Sequence, residues 1–209
     1  MNKEVSAIIF DLGGVILNLD YHLTINAFQA MTSVDVNSVY TQANQVDVFD
    51  DFETGKISAN VFRSKLSEVL NINVSDHEFD SAWNAMLLGL PEERIELLKK
   101  LGQKYKVFLF SNTNEIHFNA FRRIIANAYG NPDLLESIFD KTYYSHIHGE
   151  RKPNSIAFEK ILEEQSLDPE STLFIDDSIQ HIEGAGKLGI QTIHIKNIDI
   201  LDACKHLLK

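Results

Sequence analysis

Five short apolar runs, residues 5–10, 106–110, 141–145, 172–175 and 191–195, punctuate the chain, and segments of helical period lie between them. Each run has a strand's length and a β-rich make-up, and most end in turn or helix-start residues. That alternation predicts parallel strands joined by helical crossovers. The expected fold class is α/β, a Rossmann-like parallel sheet with helices on both faces. In such sheets the ligand crevice lies beyond the carboxyl ends of the strands. Polar or glycine-rich sequences stand at three of those ends: Asp11-Leu12-Gly13-Gly14, Ser111-Asn112-Thr113-Asn114 and Asp176-Asp177-Ser178.

Between the first two runs the pattern changes. Residues 21–32, 36–45, 58–70 and 75–88 have helical periodicity, and no strand stands out among them. Ser58 and Ser75 read as helix N-caps, and Glu78, three residues after Ser75, completes a capping box. The interval far exceeds the dozen or so residues a crossover needs. It predicts a helical cap domain, residues 18–90, inserted into a core of residues 1–17 and 91–209. The hinges fall at 17–21 and 89–92, where Gly89 and Pro91 interrupt the chain.

Composition narrows the classes of partner. With 209 residues, 44% hydrophobic and 23% charged, the chain reads as an ordinary globular protein. No run approaches the ~20 apolar residues of a membrane span, and 5–10 is too short for a signal-peptide core. Nineteen basic against 30 acidic residues give a net charge of -11, which disfavours nucleic acid and anionic lipid. A phosphate would need a local cationic site. The single cysteine, Cys204, excludes an internal disulfide framework and suits a reducing, cytoplasmic setting; it reads as packing. Oligomeric state stays open between monomer and homodimer.

Each strand-end segment has a bland reading and a chemical one. Asp11 reads as a turn residue or as a nucleophilic carboxylate, with Gly13 and Gly14 allowing close approach of backbone to ligand. Ser111, Asn112 and Thr113 read as a helix cap or as a phosphate cradle. Lys152 reads as a solvated base, or as an ammonium held by Pro153 in the first turn of a helix, near Asp11, where it offsets developing charge. Asp176 and Asp177 read as a surface pair, or as oxygen ligands for Mg2+. The conjunction decides: carboxylate, hydroxyl, lysine and acid pair occur in order, each at a strand end or before a helix. His146 and His148 have no ligand partners at a zinc spacing. Trp83 and the phenylalanines read as packing, with Phe49 or Phe52 turned towards substrate.

These motifs together resemble the haloacid dehalogenase (HAD) superfamily over the whole chain. Phe10-Asp11-Leu12-Gly13-Gly14-Val15 is similar to its first motif, Phe110-Ser111-Asn112-Thr113 to its second, Arg151-Lys152-Pro153 to its third, and Phe174-Ile175-Asp176-Asp177-Ser178 to its fourth, extended by Gln180, Ile182, Gly184 and Ala185. The insertion resembles the C1 cap. Glu53-Thr54-Gly55-Lys56-Ile57-Ser58 adds a likeness to the subgroup of sugar phosphatases acting on α-glucose 1-phosphate and of epoxide-hydrolase-associated phosphatase domains.

The resemblance implies a Mg2+-dependent phosphatase of small phosphorylated metabolites, working through an aspartyl-phosphate. It implies Asp11, Ser111, Asn112 and Lys152 as catalytic. Leu12, Gly13, Gly14, Ser111, Asn112, Thr113 and Lys152 would bind phosphate; Asp11, Gly13 (through its carbonyl), Asp176 and Asp177 would hold the metal. One departure stands out: most such phosphatases carry a second aspartate, a general acid/base, where this chain has Gly13. Asp20, His22 and Asp47 are the cap-side substitutes to test. The same departure admits a 2-haloacid dehalogenase, against which the Asp176-Asp177 pair argues, or a non-catalytic phosphate-metabolite-binding relative.

Overall fold

The structure is a computed structural model and describes residues 3–43 and 48–208. The chain starts in β1 (Ala7–Phe10), whose four residues are all buried. It leaves the sheet through the two-residue β2 (Asn18–Leu19) and runs through helices α1 (Tyr21–Gln29), α2 (Val36–Ala43), α3 (Val48–Glu53), α4 (Ala59–Leu70) and α5 (Asp76–Trp83). It returns along β3 (Leu87–Gly89) into α6 (Glu92–Leu101) and β4 (Lys106–Ser111). Helices α7 (Glu115–Tyr129) and α8 (Leu134–Ile138) lead to β5 (Lys141–Tyr144). Then come α9 (Ser145–His148), α10 (Ser155–Glu164), β6 (Thr172–Asp176), α11 (Ile179–Gly186), β7 (Gln191–His194) and α12 (Ile200–Ala203).

Five parallel strands form one sheet in the order β5-β4-β1-β6-β7, with Phe10 level with Leu109 on one side and Ile175 on the other. Chain order reverses across β1, so the Asp11 loop sits at the switch point where such sheets open a crevice. Successive residues of a strand face opposite sides. Ile8 and Phe10 accordingly join the core packed by α6, α7 and α8, while Ala7 and Ile9 join the one packed by α10 and α11. Burial on both faces explains why β1 is continuously apolar instead of alternating. The α/β sheet with helices on both faces is thus present, and Cys204 lies buried in the first of these cores.

Residues of α1–α5 bury a separate cluster, including Phe28, Phe52, Phe62, Leu66, Phe79 and Trp83, joined from the sheet side by Ile116. Phe52 stacks on Phe62 with ring centroids 4.2 Å apart. Ser58 caps α4, and the Ser75–Glu78 capping box opens α5 as expected.

Three local expectations are corrected. The helix expected over 75–88 ends at Trp83; after a 3-10 turn, Leu87–Gly89 pairs antiparallel with Asn18–Leu19. Periodicity does not separate helix from strand in so short an apolar run, and here the two connecting segments pair with each other. Helix α3 is additional to the helices expected, and residues 44–45 of the helix expected over 36–45 lie outside the described residues. Pro153 stands before α10 and not in its first turn: the Lys152–Pro153 peptide is cis, and Asn154 caps a helix starting at Ser155.

Candidate active site

Asp11 follows β1 directly, and its N–H donates to the Ile175 carbonyl at 2.9 Å. Lys152 is fully buried, and its Nζ donates to Asp11 Oδ1 at 2.6 Å and to Asp176 Oδ2 at 2.7 Å. The ammonium also lies 5.4 Å from the Phe110 and Phe174 ring centroids, held over their faces. Asp176 is gripped further by the Ser178 N–H at 2.7 Å and by His181 Nδ1 at 3.0 Å. His194 Nε2 steadies the loop from the Asp177 carbonyl at 3.0 Å.

The second and third segments are pinned to each other. The Asn112 amide donates to the Lys152 carbonyl and accepts the Lys152 N–H, both at 2.9 Å. The Asn112 side chain thus fixes the loop that presents Lys152. Ser145 Oγ similarly takes the Thr113 N–H and donates to its carbonyl, each at 2.9 Å, so the Thr113 N–H is not available to a phosphate. Among the described residues, the buried Ser111 hydroxyl makes only a long 3.5 Å contact, to the Asn112 carbonyl.

Asp11, Asp176 and Asp177 bring carboxylate oxygens within 4.8 Å of one another. One ammonium does not balance three carboxylates. Burial, helped by Asp176 and Asp177 and opposed by Lys152, pushes Asp11 up to about 7. Burial would also raise Asp176, but Lys152 and His181 outweigh it and hold that carboxyl below its ordinary range. Asp177 is raised by burial and by Asp176; among the described residues its carboxylate meets only its own backbone N–H. This hard-oxygen cluster with surplus negative charge fits a divalent cation, and Asp177 has the oxygens least committed to other donors.

Gly14 shows what the double glycine does. Its φ is +74°, and a Cβ there would stand 2.2 Å from Asp177 Oδ2. Its N–H donates to the Leu17 carbonyl at 2.9 Å, which corrects the expectation that it serves phosphate: it makes room for Asp177. Gly14→Ala is expected to strain the loop, displace Asp177 and weaken Mg2+ binding at least about tenfold, as measured by calorimetric titration.

A cavity of about 640 Å³ opens beside these loops, with Leu12, Gly13, Ser111, Asn112 and Thr113 on the core side. Phe49, Asp50, Glu53, Trp83 and Met86 line the opposite side. Phe49 thus faces the cavity while Phe52 is buried against Phe62. A Cβ at position 13 would meet Leu19 Cδ1, the tip of a flexible side chain, at 2.6 Å, so a side chain there requires Leu19 to move. Of the substitute acids, Asp20 caps α1 by accepting the His22 N–H, His22 is exposed, and Asp47 lies outside the described residues. His181, Ser145 and His194 carry no local sequence signal for these roles, because their partners are set by tertiary contact.

His117, another cavity residue, stacks on Trp83 with ring centroids 4.9 Å apart and donates through Nδ1 to Asn84 Oδ1 at 2.8 Å. Burial lowers its pKa to about 3. Its unfolded value near 6.5 means that the unfolded state takes up the proton first on acidification. Its contribution is intact above about pH 6.5 and is lost as pH falls towards 3, at up to about 1.4 kcal/mol per pH unit. His117→Gln should remove that component from a denaturation series run between pH 7 and 4.

A family model of haloacid dehalogenase-like hydrolases matches residues 5–189. Among curated proteins, a D-ribitol-5-phosphate phosphatase from Bacteroides thetaiotaomicron is 28% identical over 92% of this chain and 93% of its own length. A HAD family enzyme from the same organism, solved with magnesium and inorganic phosphate, superimposes with a TM-score of 0.79 at 34% identity, covering 92% of this chain and 94% of that one. A HAD-like family hydrolase from Porphyromonas gingivalis gives a TM-score of 0.85 at 29% identity over 99% of both chains. With its sheet order, its lysine between two strand-end aspartates and this family match, the chain belongs to the haloacid dehalogenase-like hydrolases.

Proposed function

We propose that the protein is a Mg2+-dependent phosphatase of small phosphorylated metabolites, sugar or polyol phosphates among them, in which Asp11 is the nucleophile. The observation that carries this reading is the buried Lys152 ammonium bridging Asp11 and Asp176 at 2.6 and 2.7 Å beside the cavity. Lys152 holds Asp11 Oδ1, and the other carboxylate oxygen attacks phosphorus. The bond from phosphorus to the ester oxygen breaks, and the leaving alkoxide takes its proton from water. Water then cleaves the aspartyl-phosphate, releasing inorganic phosphate and restoring Asp11.

Lys152 offsets charge on the phosphoryl oxygens, and the Ser111 hydroxyl and the Leu12–Gly13 backbone orient them. Asp11, Asp176, Asp177 and the Gly13 carbonyl are the residues to hold Mg2+, which supplies charge neutralisation and orientation of the phosphoryl group. Residues 18–90 act as the cap over a core of 1–17 and 91–209. With Leu19 at the place of the usual second acid, the leaving alcohol lacks side-chain acid help, typically worth about 10²–10⁴-fold. The related ribitol-phosphate phosphatase supports the substrate class.

The test is phosphate release from a panel of phosphate monoesters, with Mg2+ and with EDTA. Mg2+-dependent release is expected. No release from any ester would sink the proposal, and halide release from chloroacetate in EDTA would move the chain to the dehalogenases.

A further inference from the structure

Residues 23–55 contain no lysine, arginine or histidine, yet hold Asp35, Asp47, Asp50, Asp51 and Glu53. Asp50 and Glu53, on α3, line the cavity. Opposite them the core places Arg151, ion-paired to both acids. Asp50 accepts a charged hydrogen bond from its Nη1, and Glu53 Oε2 lies 2.9 Å from its Nε. Lys152 is equally committed to Asp11 and Asp176. Elsewhere on the helical side, Arg63 pairs with Asp76 and Asp80, and Lys56 with Asp51. His117 is buried in the neutral form. Burial raises the Glu53 carboxyl and Arg151 opposes this; in either state of Glu53, the Asp50–Glu53–Arg151 cluster has no net positive charge. Phe49, Trp83, Met86 and Leu19 add apolar surface, with Tyr21 and Gln180 beside them.

Resting on the phosphatase reading, we infer that this cavity takes phosphate monoesters of uncharged alcohols and rejects esters whose leaving group carries a second anion, because Asp50 and Glu53 neutralise Arg151 beforehand. The phosphate dianion has Lys152 to meet it, beside the Asp11, Asp176 and Asp177 carboxylates that would hold Mg2+. A carboxylate or second phosphate on the leaving group would lose hydration against apolar and acidic surface. To gain a cation it would have to pull Arg151 from two carboxylates and leave them unpaired. Such like-charge juxtaposition rejects wrong ligands more than it strengthens right ones. Hydroxyl groups meet no such penalty, since carboxylates accept their hydrogen bonds. Arg151, Asp50 and Glu53 are therefore specificity residues, apart from the reacting atoms.

The experiment compares kcat/KM within matched pairs, glycerol 3-phosphate against 3-phosphoglycerate and glucose 6-phosphate against 6-phosphogluconate, with p-nitrophenyl phosphate as a common reference. Wild type is expected to favour the neutral member of each pair at least about tenfold. The double variant Asp50→Asn/Glu53→Gln, which frees the guanidinium, should shrink that ratio to about threefold or less. Arg151→Gln should widen it, whereas merely loosened packing would move both variants the same way. Melting temperatures and p-nitrophenyl phosphate turnover report whether each variant folds, and the surface control Glu163→Gln should leave the ratio unchanged. Turnover of p-nitrophenyl phosphate without discrimination within the pairs, or a ratio untouched in both variants, overturns this inference alone. No turnover of any ester overturns the phosphatase reading and this inference with it.

Discussion

Replacing Asp11 with asparagine is expected to lower phosphate release by about 10⁴-fold or more while leaving the protein folded. Removing a covalent nucleophile costs losses of this size because the remaining machinery then has nothing to deliver. Asparagine keeps the shape of the side chain, and the Asp11 N–H bond to the Ile175 carbonyl is untouched. Asp11 shares the buried Lys152 ammonium with Asp176, and the Asp177 carboxylate lies within 4.8 Å of both acids. Its neutralisation relieves repulsion with Asp176 and Asp177, so the melting temperature measured without metal should hold or rise. Phosphate release and thermal denaturation, measured on the same preparation, check both halves. Residual activity within tenfold of wild type would mean that another group attacks phosphorus.

What the sequence disclosed follows from what each residue depends on. The core strands were legible because burial on both faces of a parallel sheet demands apolar residues at every position, as in Ala7–Phe10. Asp11, Ser111, Lys152, Asp176 and Asp177 were legible because each sits at a strand end or beside a helix start, where local pattern and chemistry coincide. Asn112 was legible by its place at a strand end, but the partner of its side chain was not: its amide is satisfied by Lys152, 40 residues away. The partner of Arg151 was not legible, because Asp50, 101 residues distant, is brought to it only when the helical segment packs over the core. The β2–β3 ribbon escaped for a similar reason, since two residues pairing with three leave no periodic signature. Gly13 is the intermediate case. Its missing acid was plain in the sequence, but Leu19 standing in that place required the structure.

Lys152→Met should have the largest combined effect, with turnover falling at least about 10³-fold and stability by about 3–5 kcal/mol. Methionine fits an apolar surround of Phe110 and Phe174 well enough, so packing is not what fails. What fails is charge: Asp176 is fully buried and Asp11 nearly so, and the ammonium is the cation within 2.7 Å of both. Without it, His181 and the Ser178 N–H still hold Asp176, while Asp11 loses the donor that opposes its rise in pKa. The two consequences separate in a second variant. Lys152→Met/Asp176→Asn removes one of the carboxylates left without the ammonium and should recover part of the lost stability in urea denaturation, yet turnover should stay at the single variant's level or below, because the charge that offsets the phosphoryl oxygens is still absent and a residue placed to hold Mg2+ is lost with it. Recovery of turnover along with stability would mean that Lys152 acts only as a structural counter-ion, and that the reaction draws its positive charge from elsewhere in the site.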